Sequence, residues 1–213
     1  MSNFINHLSL IICILLFNFK LSSPTIQINP IMNIPTLTSE FERFDLSKFD
    51  RKVEINKISK SGGIYIESEK LDDGYTERIY QENSCFFILK NYYANCNIKE
   101  KGVLFNSGYF KIGNWYSFSA GGQLAKTYND ENIYTFNFEK LYDFITKEKI
   151  GLSFGFIHDY TGFHTVIQKK IDKNNNPLWL INWQKEPQII EEISISGSSG
   201  KVLSRVKEFI EEN

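Results

Sequence analysis

Ile64-Tyr65-Ile66-Glu67-Ser68-Glu69-Lys70, then Leu71-Asp72-Asp73-Gly74, then Tyr75-Thr76-Glu77-Arg78-Ile79-Tyr80-Gln81, is the stretch that decides the fold. Ile64, Ile66 and Ser68 fall on one side of a pleated chain, and Tyr65, Glu67 and Glu69 on the other. The Asp73-Gly74 dipeptide suits the positive φ angles of a tight hairpin, so residues 75–81 are predicted to run back beside residues 64–70. The same grammar continues outward. Phe86 to Tyr93 reads as an aromatic strand closed by Ala94-Asn95-Cys96-Asn97. Ile98 to Phe105 returns, Asn106-Ser107-Gly108 turns the chain, and Tyr109 to Phe118 crosses again. Gly121-Gly122 makes the last turn before Gln123 to Tyr128. Turns at such regular spacing predict a meander of neighbouring antiparallel strands.

Downstream the period changes from two to that of a helix. Phe138, Leu141, Tyr142 and Ile145 lie on one helical face, with Asn137 as the expected N-cap and Gly151 as the expected stop. Strands are predicted again over 165–172, 178–184 and 189–196. After Gly197-Ser198-Ser199-Gly200, the stripe Val202, Leu203, Val206, Phe209 and Ile210 predicts a C-terminal helix. The fold class expected is therefore α+β: an antiparallel β-meander, a helix on a small antiparallel sheet, and a last helix.

Composition agrees with that class and narrows function. Apolar residues make up 42% of the 213, enough for a real core. Aromatics reach 15%, with 18 Phe and 11 Tyr, a bias toward pleated, half-buried surfaces. A formal net charge of −1 provides no global field toward nucleic acid, so no nucleic-acid partner is expected.

The N-terminus carries the clearest regional signal. Residues 1–19 contain no Asp, Glu, Lys or Arg, and Leu8 to Phe19 is nearly all apolar. That run spans about 18 Å as a helix, short of the roughly 30 Å hydrocarbon core, and fits the core of a signal peptide. Residues 1–23 are thus read as a signal peptide or, uncleaved, a membrane anchor, and the protein as exported: periplasmic, in the cell envelope or secreted. An uncleaved segment is the one membrane contact expected. Residues 24–40, with Pro24, Pro30 and Pro35, read as a linker. Residues 41–135 then form the meander and 136–213 the α+β unit. Phe41, Phe44, Leu46 and Phe49 mark a short helix or docking segment at the start of the body.

The middle of the chain resembles the MORN-type repeat in its bacterial variant form. The residues that carry the likeness run from Tyr92-Tyr93-Ala94-Asn95-Cys96-Asn97 to Lys101-Gly102, then Gly113-Asn114-Trp115-Tyr116-Ser117-Phe118, then Gly121-Gly122-Gln123-Leu124. Cys96 stands where the pattern has glycine. The order of elements looks like that of exported proteins of the Bacteroidetes. The last third is similar to a PepSY-like unit through the helix at Phe138, the strands through Trp179 and Trp183, and residues 193–203, with Ser196 where members carry an acid. These likenesses imply MORN-like hairpins and an exported compartment; they carry over no catalytic residue and no cofactor.

Several constellations bear on chemistry. His158 and His164 flank residues 159–163, and with Asp159 they form a candidate metal or acid–base set, against the alternative of two histidines making ordinary hydrogen bonds. Six positions along a strand would hold them about 20 Å apart, so only a tight turn brings them together. Cys85 and Cys96, separated by a strand, are expected to stay unpaired. Either thiol is a nucleophile only with a lowered pKa. Asp72, Asp73, Glu67, Glu69 and Glu77 gather acid around one hairpin, as a weak calcium site or a solvated tip. Gly197 to Lys201 is too short for a phosphate-binding loop. The remaining candidates are aromatic: Trp115, Tyr116, Trp179 and Trp183 as a binding surface, against the alternative that they fill the core. Trp179, Ile181 and Trp183 share one side of a strand and Leu178, Leu180 and Asn182 the other, implying cover on both faces or cover by a partner.

Three functions follow as expectations. The first is an exported non-enzymatic protein that binds or scaffolds an unknown protein or cell-envelope component. The second is an inhibitor or immunity-type protein acting on a hydrolase or toxin. The third is a hydrolase using His158 or His164.

Overall fold

The computed structural model describes residues 33–48, 56–157 and 163–210. The expected signal segment, residues 24–32 of the expected linker, Phe49, His158 and Asp159 lie outside them. Strands β1 (Asn56–Ser61), β2 (Ile64–Leu71), β3 (Gly74–Gln81), β4 (Phe86–Tyr93), β5 (Ile98–Phe105), β6 (Lys111–Phe118) and β7 (Leu124–Tyr128) form one antiparallel sheet in chain order. Helix α1 (Phe138–Lys147) follows. Strands β8 (Val166–Ile171), β9 (Pro177–Glu186), β10 (Ile189–Ser196) and β11 (Val202–Phe209) form a second antiparallel sheet in the order β11-β10-β9-β8. The meander and the α+β class are as the alternation predicts, with β1 added at its front edge.

Two turns show different uses of glycine. Gly62 and Gly63, at φ 56° and 75°, form the left-handed two-residue loop that matches the twist of a hairpin. Gly74 does something else. The β2–β3 loop is Asp72-Asp73, neither at positive φ, and Gly74 opens β3 opposite Leu71. A Cβ on Gly74 would lie 1.9 Å from the Tyr92 carbonyl oxygen, so this glycine permits close approach of β4 rather than a left-handed turn.

The main core lies between the two sheets and α1. Phe86, Val103, Phe105, Phe110 and Ile112 from the large sheet meet Phe138, Leu141 and Ile145 of α1, and Ile167, Trp179, Ile181, Ile193 and Ile195 of the small sheet. Ile34 and Leu37, in the segment read as a linker, pack against it. Helix α1 begins as expected: Asn137 Oδ1 accepts the Lys140 N–H at 3.2 Å. It ends earlier than Gly151. Glu148 caps it and Lys149 adopts φ 59°, which terminates the helix without a glycine.

The largest departure is at the C-terminus. Residues 202–209 form strand β11 and not a helix. Gly200, at φ 73°, turns the chain, Ser196 N–H bonds the Lys201 carbonyl at 2.9 Å, and β11 runs back along β10. An isolated helix this short is marginal in water, whereas the free edge of β10 supplies a ready hydrogen-bond ladder. Val202, Val206 and Phe209 satisfy either pattern, so the edge decides.

The segment at 41–48 docks, and residues Leu46–Lys48 at its end form a single 3-10 turn, so each of its two readings holds for part of it. Phe44 stacks on Tyr75 at 4.5 Å and meets Tyr92 edge-on at 5.1 Å, while its N–H donates to the Cys96 carbonyl at 2.8 Å. Cys96 holds φ 69°, a left-handed backbone angle that glycine adopts most readily, and packs beside Ile98 and Phe118. No helix among the described residues is long and apolar enough to cross a membrane.

Candidate binding surface

The four aromatic candidates do not converge. Trp115 and Trp179 are 2% and 0% exposed and belong to the core, so neither contributes a recognition surface. Trp115 lies flat against Gly102, where a Cβ would come within 2.1 Å of the indole; Gly102 is the slot that admits it. Tyr116 points to the opposite face of β6, half-buried beside Phe118. Trp183 is half-buried, its Nε1 donating to Glu191 at 3.0 Å. On β9 the face bearing Trp179 and Ile181 is sealed in the core, whereas Leu178, Leu180 and Asn182 are half-buried on the outer face.

The chemical candidates separate too. Burial pushes the Cys85 thiol up to about 12, so it stays protonated at neutral pH and is no nucleophile. Cys96 is buried and unpaired, contrary to the exposure its turn position allows. The acids of the β2–β3 hairpin disperse: Glu67 and Glu69 both pair with Arg78 at 3.2 Å, and Glu77 accepts from Tyr92 on the other face at 2.8 Å. Among the described residues no three His, Cys, Asp or Glu side chains gather as a metal site. His164 Nδ1 lies 3.0 Å from Ser153 Oγ, a partner sequence spacing did not reveal. Gly197 to Gly200 is the β10–β11 hairpin turn, not a loop opening a helix.

What the fold does assemble is the face of the large sheet that points away from α1. Register places its side chains in rows. Tyr65, Tyr80, Phe87, Leu104 and Lys111 form the first; Glu67, Arg78, Leu89 and Gly102 the second, extended by Trp115 and Tyr128; Glu69, Thr76, Asn91, Glu100, Ser117 and Lys126 the third. Phe156 covers part of the first row, 5.6 Å from Tyr65 and 5.1 Å from Tyr80. In the other rows Leu89, Asn91, Glu100 and Tyr128 are half-buried and still reach solvent.

Polar order on this face is high. Arg78 is held by Glu67 and Glu69, and Thr76 Oγ1 donates to Asn91 Oδ1 at 2.9 Å. Lys111 Nζ sits 4.1 Å above the Trp115 ring and donates to the Tyr128 hydroxyl at 2.6 Å, which in turn donates to Glu100. Burial opposes the charge on Lys111, but these bonds and the Glu100 carboxylate hold its pKa above the ordinary value. Burial and Glu100 likewise raise the Tyr128 hydroxyl, which therefore remains a donor. Side chains fixed in this way lose little further rotamer freedom when a partner docks. A cleft of about 470 Å³ lies elsewhere, lined by Ile112, Gly113, Glu131, Tyr134 and Phe138, with Glu131 already accepting from the Gly113 N–H at 2.8 Å.

The chain matches no known protein family, no curated protein and no solved structure.

Proposed function

We propose that this is an exported, non-enzymatic protein that binds or scaffolds a protein or cell-envelope component through the outer face of its large sheet. The observation that carries the reading is the row structure of that face: half-buried Leu89 set between an Arg78–Glu67–Glu69 cluster and a Lys111–Tyr128–Glu100 cluster. An apolar centre with a pre-ordered polar surround is the anatomy of a protein-binding patch. Its mixed charge suits a protein surface better than a phosphate backbone. The MORN-like hairpins and the apolar N-terminal run support the same reading, the first as a scaffold of ribbons and the second as an export signal.

A photo-crosslinking amino acid at Leu89 tests the surface in living cells. One discrete adduct is expected, lost when Arg78→Glu is added, while a crosslinker at exposed Asp72 yields none. Adducts that are absent, or equal at both positions, overturn the surface. Mass spectrometry of the mature N-terminus in fractionated cells tests export separately.

A second reading, a hydrolase with Ser153 as its nucleophile and His164 as its base, is supported by the Ser153–His164 contact, which is within general-base reach. It requires Ser153 to be labelled by a serine-directed fluorophosphonate, with labelling lost in His164→Ala. An unlabelled Ser153 removes it.

A further inference from the structure

We propose that β11 is a self-pairing edge through which two copies of the chain join their small sheets into one eight-stranded sheet. The edge itself is the first reason. Among the described residues β11 ends the small sheet, and every side chain from Leu203 to Ile210 is exposed, with Leu203 at 53%, Val206 at 49%, Phe209 at 77% and Ile210 at 41%. A strand with apolar residues on both faces and one row of backbone groups unpaired is a template for another strand. The opposite edge, β8, differs: it carries Gln168, Lys169 and Lys170 in its middle, the residues that discourage pairing.

The second reason selects a copy of the same chain as occupant. Read outward from Val206, the edge is a palindrome in chemical character. A two-fold axis through Val206 and normal to the sheet gives antiparallel pairing in which Val202 faces Ile210, Leu203 faces Phe209, Ser204 faces Glu208 and Val206 faces its own twin. Opposed residues share a face, so every apolar side chain meets an apolar one and the polar ones meet each other. Shifting the axis to Arg205 or Lys207 breaks the match and sets two like charges on the axis.

One pair in the favoured register is unfavourable, Arg205 with Lys207. Each strand has acids of its own beside it. Arg205 bonds Glu148 at 2.9 Å and Glu191 at 3.4 Å, and Lys207 stands opposite Glu191 on β10. The residual repulsion makes a distinctive prediction: salt strengthens the dimer, because screening removes the opposing term while the apolar and backbone terms remain. The seam is narrow, nine residues or about 30 Å of strand, so the dimer is expected in the micromolar range of about 1–100 μM. This surface is separate from the outer face of the large sheet, and either can fail without the other.

The test uses the full chain in sedimentation velocity over a concentration series at low and high salt. A monomer–dimer equilibrium that tightens with salt is expected. Val206→Lys, which sets two ammonium groups on the axis, weakens it at least about tenfold. Because Val206 is half-exposed on an edge, circular dichroism is expected to be unchanged. Val206→Cys in a Cys13→Ser background places the two thiols across an antiparallel pair, about 4.5–5.5 Å between Cα atoms, inside the disulfide window. Mild oxidation then gives a covalent dimer. A chain monomeric at every concentration, a dimer indifferent to Val206→Lys, or no crosslink at position 206 each overturns the proposal.

Discussion

Replacing Trp179 by alanine is expected to lower stability by about 3–5 kcal/mol, a large share of the 5–15 kcal/mol that holds a domain together. Trp179 is wholly buried at the centre of the inter-sheet core. Its ring lies 4.8 Å from Tyr134, 5.3 Å from Phe110 and 6.1 Å from Phe138, and Lys169 Nζ is 5.6 Å above it. Its Nε1 donates to the Phe136 carbonyl at 2.8 Å, which fastens the approach to α1 onto the small sheet. Truncation removes the ring contacts, leaves a cavity and orphans that carbonyl. Trp179→Phe keeps most of the packing and loses the donor, so its cost should be clearly smaller. Urea denaturation checks both: the midpoint falls and the slope stays constant if the effect is on the native state. Trp183→Ala is the control, since that half-buried ring should cost much less.

The second large effect concerns a charge with no access to water. Lys101 is fully buried on the inner face of β5 and donates to the Glu40 carbonyl at 2.7 Å and to the Glu42 carboxylate, which also takes Lys90. Glu42→Ala strands that ammonium with a single carbonyl. The expected loss is about 3 kcal/mol, the lower end for breaking a buried pair, because Glu42 keeps 31% of its side chain in solvent. Adding Lys101→Met should restore much of it, since the uncompensated charge is the source of the cost. A structural role for Glu42 alone would leave the double variant as unstable as the single one.

Acid gives the same pair an independent signature. Burial works to raise the Glu42 carboxyl, but the hydrogen bonds and charges of Lys101 and Lys90 outweigh it and hold the pKa below the ordinary value. A carboxylate depressed in the folded state stabilises fully above its unfolded pKa of about 4.3 and loses that contribution as pH falls through the folded value. The stability gap between the native chain and Glu42→Gln should therefore be constant at neutral pH and close below about pH 4. A gap that persists in acid would mean the cost is one of packing.

Legibility divides along the physics. Strands β2 to β7 are readable because alternation and turn residues are local: Asn106 to Gly108 and Gly121-Gly122 mark turns whatever the rest does. Helix α1 was readable from Phe138, Leu141 and Ile145 on one face and Asn137 at its start, all buried or capping as that spacing requires. The stop was not, because Lys149 takes a left-handed angle that its residue type does not advertise. The neighbouring Asp73 marks Gly74 as a turn residue, although its reason for being glycine is the Tyr92 carbonyl on another strand.

The functional surface shows the same division. Tryptophans attract attention in a sequence, yet Trp115 and Trp179 are core, and the ordered face is made of Arg78, Leu89, Glu100, Lys111 and Tyr128, which no short motif unites. Their common signal was present only as alternation; the strand-to-strand register that aligns them was not. The Ser153–His164 contact likewise joins residues whose meeting depends on the path of an irregular segment.

The sequence by itself determined the class of fold, the meander, the position of α1 and the unpaired thiols, because each follows from periodicity or turn chemistry within a few residues. Only the tertiary structure decided that residues 202–209 are a strand, which face of each ribbon is sealed, and that Lys101 is buried against Glu42. Those outcomes turn on which edge or charge stands opposite in space, a partner 59 residues away in the case of Lys101 and Glu42, and no local pattern encodes it.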